Sequence, residues 1–217
     1  AEYYFRTTPI KTIADHIAAI RAAEVMASIR KEEQLKIDLV TESRDEAIYL
    51  VDDHHNRAIE LERRIESKYP NYRLQSYRTL GKAFGTDHLR MYIVYKPKFK
   101  TDPLLPEETD LEKISCQNFL KNTTSITLQR YQNILTRASG WETPLIDVTE
   151  KKQTNETRIM VVTNRDSSSR FFSDVSDVFN SHNLVTNRKY QEQFANGKTV
   201  YAFYLDKITD EELLRNI

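Results

Sequence analysis

Glycine is scarce in this chain, at four residues in 217. Phosphate-cradling loops need glycine where the backbone takes positive φ or approaches a ligand closely. Neither G-x-G-x-x-G nor G-x-x-x-x-G-K-[ST] occurs, which excludes the familiar nucleotide enzymes. Charge of one sign is lacking too, because 32 Lys and Arg balance 32 Asp and Glu. A protein held on nucleic acid through phosphates needs a basic excess or patch, so no nucleic-acid partner is expected. No apolar run approaches the roughly 20 residues that span a bilayer, and no signal peptide opens the chain. The expectation is a soluble, cytoplasmic protein with no membrane partner. A single cysteine, Cys116, excludes an internal disulfide framework and any multi-cysteine metal site. It falls beside Ile114 and Phe119 in a helical stripe and reads as a small buried hydrophobe.

What is present is periodicity. Ile13, Ile17, Ile20, Ala23, Val25 and Ile29 recur at mostly helical spacing and predict an amphipathic helix. The runs Leu35 to Thr41 and Ala47 to Val51 read as a hairpin. Ala58, Leu61 and Ile65 then lie on one face of a helix that Pro70 ends. Tyr72 to Leu80 and Leu89 to Tyr95 predict two more strands. Arg57, Arg63, Arg64, Lys68, Arg73 and Arg78 interleave with Glu60, Glu62 and Glu66, a pattern expected of a solvated, salt-bridged face. From Asp110 to Ala138 the period is helical again. A last block predicts a strand over Arg158 to Thr163 and a helix with Phe171, Val175, Val178 and Phe179 inward. Two further strands, Asn183 to Tyr190 and Thr199 to Leu205, join at the hairpin signal Asn196-Gly197.

The order strand, helix, strand, strand thus occurs twice. The expected organisation is an N-terminal helix and first α+β unit over 1–100, a helical linker over 101–150 and a second unit over 151–217. Val200 to Leu205 is apolar at every position. One face of that strand can pack on its own helix, and the other is expected to meet another domain or subunit. The capped helical turn starting near Thr209 and the opening Ala1 suggest a piece of a longer polypeptide.

Thr157 to Asp166, Phe171 to Phe179 and Tyr190 to Tyr204 resemble an ACT domain, a ferredoxin-like regulatory module that commonly binds an amino acid at a strand-helix loop or between paired domains. Tyr3 to Pro9, Asp15-His16-Ile17 and Leu61 to Pro70 look like the N-terminal region of the large NAD-dependent glutamate dehydrogenases. The resemblance implies an α+β fold of tandem ACT-like units with antiparallel sheets. It also implies a non-catalytic regulatory and assembly role, homo-oligomer contacts and contacts to a catalytic region elsewhere in the chain. It places NAD in the parent enzyme and no cofactor in this piece. The implied effector site is Asn164, Arg165, Asp166, Ser167, Ser168 and Ser169, with amino acid as ligand. That loop departs from the Asp-Arg-Pro-Gly usual in amino-acid-binding ACT domains. Serine can still cap the helix and offer N–H groups to a carboxylate.

Asp52-Asp53-His54-His55 is similar to the Asp-His-His motif of manganese phosphoesterases and supports an alternative, a metal-dependent hydrolase. A two-metal site needs further carboxylates and a glycine-rich loop, neither of which is evident, so Asp53 is expected to cap the following helix. A ligand-free structural interaction module is the other alternative. No catalytic and no metal residue is assigned.

Overall fold

Because β-strand side chains point alternately to opposite faces, strands buried on both sides need apolar residues at successive positions. Several strands of this chain have them. The computed structural model describes residues 5, 8–29, 39–53, 56–69, 71–78, 89–96, 98–99, 104–164 and 170–216. It shows α1 (Ile10–Ile29), β1 (Leu39–Glu42), β2 (Glu46–Asp52), α2 (Asn56–Lys68), β3 (Arg73–Arg78) and β4 (Leu89–Tyr95) in the first half. Three helices follow, α3 (Leu111–Ile114), α4 (Gln117–Asn122) and α5 (Ser125–Arg137). The second half contains β5 (Leu145–Lys151), β6 (Glu156–Asn164), α6 (Phe171–Ser181), β7 (Thr186–Gln193), β8 (Lys198–Asp206) and α7 (Glu211–Asn216).

Among the described residues, eight strands form one antiparallel sheet, in the order β1-β2-β4-β3-β7-β8-β6-β5. Read inward from each edge, the two halves have the same order, so the sheet is a tandem pair of α+β, ferredoxin-like units. They meet where β3 pairs with β7, Ser76 opposite Lys189. The repeat is longer than the sequence period suggests. Each unit opens with a hairpin, β1-β2 or β5-β6, and β5 falls within the stretch expected to be linker. Its burial alternates and leaves Ile146 and Val148 outward, a weak signal beside the apolar run Ile159–Val162 of β6. With β5 and β8 on its two sides, β6 has no free edge for a strand following α7.

Sheet parity sorts the core into two layers. Tyr49, Val51, Leu74, Tyr92, Val94, Ile159, Val161, Phe203 and Leu205 meet Leu61 and Ile65 of α2 and Phe172 and Phe179 of α6. The opposite face, with Ile48, Ile93, Met160, Val162, Val200 and Ala202, meets Ile114, Phe119, Tyr131 and Leu135. The partner expected from another domain or subunit is therefore supplied by the chain's own α3 to α5. The Phe119 ring lies 5.2 Å from Tyr131 and 5.8 Å from Phe194. Each such fully buried side chain contributes on the order of 1.5–3 kcal/mol.

The cover is anchored to the β7-β8 turn. Gly197 takes φ of 80° there, a conformation that glycine adopts without a Cβ penalty. Ala195 N–H donates to the Ile114 carbonyl at 2.8 Å, and Asn196 Nδ2 donates to the Glu108 carbonyl at 2.8 Å. Two helices differ from their expected core faces. Val178 of α6 is exposed, and Phe172 replaces it inward. On α1, Ile17, Val25 and Ile29 are exposed, while Ile13 and Ile20 pack on the core.

Candidate functional site

Asn164, the first of the expected effector residues, ends β6. Its Oδ1 accepts from Lys198 Nζ at 2.8 Å, and its Nδ2 donates to the Glu142 carbonyl at 3.4 Å. Arg165, Asp166, Ser167, Ser168 and Ser169 lie outside the described residues. Beyond them, α6 starts after Arg170. The N–H groups of Phe172 and Ser173, which have no partner within the helix, donate to Glu66 Oε1 of α2 at 2.9 and 3.4 Å. A carboxylate there also meets the positive end of the helix dipole. Glu66 thus holds two donors that a serine-capped helix start would offer to an effector carboxylate. Burial pushes the Glu66 carboxyl above the ordinary range, against the hydrogen bonds from Ser173 and Phe172.

Asp53 follows β2 and is clamped by two guanidinium groups. Arg78 Nε donates to Oδ2 at 2.8 Å, while Arg90 donates from Nε to Oδ1 and from Nη2 to Oδ2, both at 3.0 Å. Burial opposes ionisation of this carboxyl, but Arg90, with help from Lys189 and Arg78, outweighs it and holds the pKa below the usual value. A carboxylate saturated in this way is not free to bind a metal. His54 and His55 lie outside the described residues. Among the described residues no group of three or more His, Cys, Asp or Glu could hold a metal ion.

The unit seam carries further buried charge. Glu62 of α2, wholly buried, accepts from Tyr92 OH at 2.6 Å and from Lys189 Nζ, which also donates to Ser176 Oγ at 2.9 Å. Arg90 Nη2 reaches across the seam to the Thr186 carbonyl at 2.6 Å. On the opposite face Arg73 makes a bidentate pair with Glu192, Nε to Oε2 and Nη2 to Oε1, the latter at 2.7 Å. Both side chains are under 5% exposed. Two members of the expected solvated cluster, Glu62 and Arg73, are therefore interior. A helix-face pattern cannot reveal that the units join edge to edge and that a second cover closes over β3. The available signal was the complementary content of the seam strands, Arg73 and Arg78 on one, Lys189 and Glu192 on the other.

Arg73 also lines a cavity of about 350 Å³, together with Asp45, Glu46, Tyr95, Lys96, Lys98, Cys116, Gln117 and Asn118. A neighbouring cavity of about 160 Å³ shares Glu46, Arg73, Tyr95 and Asn118 and extends to Thr8, Pro9 and Thr12 before and within α1. Cys116 is a buried free thiol, as its stripe position predicts. Burial pushes its pKa up, the opposite of what a reactive cysteine needs.

The family described as NAD-specific glutamate dehydrogenase, second domain, matches residues 37–216. The NAD-specific glutamate dehydrogenase of Neurospora crassa is 32% identical over 219 residues, covering 94% of this chain and 21% of the relative. Glutamate dehydrogenase 2 of Dictyostelium discoideum is 27% identical over 254 residues, covering 93% and 24%. A probable NAD-specific glutamate dehydrogenase of Schizosaccharomyces pombe is 27% identical over 227 residues, covering 93% and 20%. The chain spans under a quarter of the length of each of these relatives. No helix among the described residues is long and apolar enough to cross a membrane. By the extent of the family match, the chain belongs to the NAD-specific glutamate dehydrogenase family, to the part described as its second domain.

Proposed function

We propose that this region is a non-catalytic regulatory and assembly part of a larger, cytoplasmic NAD-dependent glutamate dehydrogenase. Residues outside it carry out the oxidation and bind NAD. The observation that supports this reading best is the use made of its charged side chains. Glu62 pairs with Lys189 and Arg73 with Glu192 across the unit seam, and Arg90, held by Asp53 within the first unit, reaches across it to the Thr186 carbonyl. They make a rigid platform of two paired units, and the outer strands β1 and β5 remain as surfaces for a second subunit or for the catalytic part. In the ACT-like reading an amino-acid effector acts through Asn164 to Ser169, binding two states of the enzyme with different affinity.

The test has two parts. The 217-residue chain is expected to show no glutamate-dependent NAD reduction, whereas the full-length enzyme does. Light scattering of the chain should give a homo-oligomer that Ile146→Asp with Val148→Asp converts to monomer. NAD reduction by the chain alone sinks the non-catalytic reading, and a wild-type monomer sinks its self-assembly. The second reading, a ligand-free assembly module, is favoured by Glu66 at the start of α6. Calorimetric silence toward all amino acids, together with a stable oligomer, would select it.

A further inference from the structure

The strand registers build a row of charge on the sheet face that α5 covers. Thr149 of β5, Arg158 of β6, Tyr204 of β8 and Arg188 of β7 are successive cross-strand partners, and Tyr204 belongs to the core layer beneath α3 to α5. Two cations converge on the Tyr204 ring, with Arg188 Cζ 4.2 Å and Lys151 Nζ 5.4 Å from its centroid. Arg158 stands directly opposite Tyr204, and Arg130 of α5 is near enough to repel both Lys151 and Arg158. The carboxylates of this face are already engaged. Arg188 Nη2 donates to Glu156 Oε2 at 2.6 Å, and Arg137 Nη1 donates to Asp147 Oδ1 at 2.6 Å. Asp206, opposite Glu156, is exposed and accepts from Asn187 Nδ2 at 2.9 Å.

Three cations are left without such a partner. Arg158, 7% exposed, donates from Nη2 to Thr149 Oγ1 at 3.0 Å, but its Nε is buried with no hydrogen-bond partner, and the nearer Asp147 oxygen is 4.0 Å away. A buried donor of a permanent cation is costly to leave in that state. Among the described residues Lys151 makes no ion pair, and Arg130 makes neither a hydrogen bond nor an ion pair. Burial, with the neighbouring guanidinium groups of Arg188, Arg130 and Arg158, pulls the Lys151 ammonium below its ordinary range, and burial with Arg130 does the same to Arg158. Positive charge therefore exceeds its partners here. Lys151 and Arg130 are part-exposed, so solvent reaches the cluster.

A singly charged anion would leave most of this charge uncompensated. A phosphate group carries about −1.5 to −2 at neutral pH, and its oxygens radiate from one centre, which suits donors arriving from α5, β5 and β6. A planar carboxylate suits a single bidentate fork. No glycine-rich loop is required, because the donors are side chains. We propose that Arg130, Lys151 and Arg158 form a binding site for a phosphate-bearing anion, with the Arg188 and Glu156 pair fixing its floor over Tyr204. The site lies on the sheet face opposite α6, six residues or about 20 Å along β6 from Asn164. It uses none of residues 164–169 and so goes beyond the effector loop.

Calorimetry of the 217-residue chain at low ionic strength with inorganic phosphate, pyrophosphate and citrate tests it. Phosphate or pyrophosphate should bind, with affinity falling as salt is raised, and citrate, a carboxylate anion of comparable charge, should be about tenfold weaker than pyrophosphate or worse. Arg130→Gln and Lys151→Gln should each weaken binding roughly tenfold, the loss expected of one charge-assisted hydrogen bond. Neither side chain makes a hydrogen bond within the fold, so the unfolding midpoint without ligand should stay where it is. Lys152→Gln, at an exposed neighbouring position, should leave the affinity unchanged. Heat from neither phosphate nor pyrophosphate overturns the site. So does binding that Arg130→Gln and Lys151→Gln both leave intact, or that Lys152→Gln weakens as much as they do, since the attraction is then nonspecific. Citrate bound as tightly as pyrophosphate overturns the phosphate assignment. The effector loop is tested separately by amino-acid binding, so either reading can fail without the other.

Discussion

Glu66 shows how one residue's environment sets both stability and access to a site. Truncation to alanine removes the acceptor of two N–H groups at the start of α6, and capping losses of this kind cost about 0.5–2 kcal/mol. Urea unfolding of Glu66→Ala should show a loss in that range. The pH dependence has a definite sign. A carboxyl whose folded pKa lies above its unfolded value contributes stability below the unfolded pKa and loses it as pH rises through the folded one. Stability from Glu66 should therefore decline as pH rises from about 4.5. Glu66→Gln, which keeps an acceptor oxygen, should flatten that decline when unfolding curves are compared between pH 4 and pH 7. Asp53 works in the other direction: held below its usual value by Arg90 and Arg78, it contributes stability that is lost in acid. The Arg73 and Glu192 pair is a third residue-scale case. Glu192→Ala should destabilise by about 3–5 kcal/mol, because it leaves an uncompensated buried charge, whereas Arg73→Met combined with Glu192→Met should be close to neutral. Denaturant midpoints of the single and double variants separate the two. None of this was legible in the helix pattern that grouped Arg73 and Glu62 with solvated charges, because desolvation depends on what packs over a residue rather than on its spacing.

Elements were legible where period and punctuation agree. Helix α2 has Ala58, Leu61 and Ile65 buried as its spacing requires, and β8 is apolar from Val200 to Leu205 because both of its faces are covered. Strand β5 was not, since an edge strand with alternating exposure resembles polar linker. At the end of α6, Asn183 takes φ of 56°. Leu184 N–H donates to the Phe179 carbonyl at 2.8 Å, and Asn183 N–H to the Asn180 carbonyl at 3.0 Å. This is a Schellman stop in which asparagine takes the left-handed position more often given to glycine. Asn183→Ala should lower stability by about 1 kcal/mol, and Asn183→Gly should not. Thermal unfolding of the two variants checks the sign. Helix α1 is apolar on several sides, so its period alone could not tell which positions the sheet would cover.

For the whole molecule, the continuous hydrogen-bonded sheet and the cover by α3 to α5 make two units into one body. Unfolding is expected to be a single transition, with far-ultraviolet circular dichroism and the fluorescence of the single tryptophan, Trp141, tracing the same curve. Two separated transitions would contradict that coupling. Phe119→Ala in the cover should cost about 3–5 kcal/mol and shift both probes together, although Phe119 belongs to neither strand-helix-strand unit.

The α+β class, the duplicated strand and helix order, the buried Cys116 and the absence of glycine-rich phosphate loops all follow from the sequence alone. Each depends on local composition or on a period that one segment carries by itself. Tertiary structure decided that β3 and β7 join the units, that the expected linker covers the second face, and that Glu66 sits at the start of α6. It also buried Arg73 and Glu62. These outcomes depend on contacts between residues far apart in the chain, and the solvation of a charge is set by such neighbours, which no local pattern records.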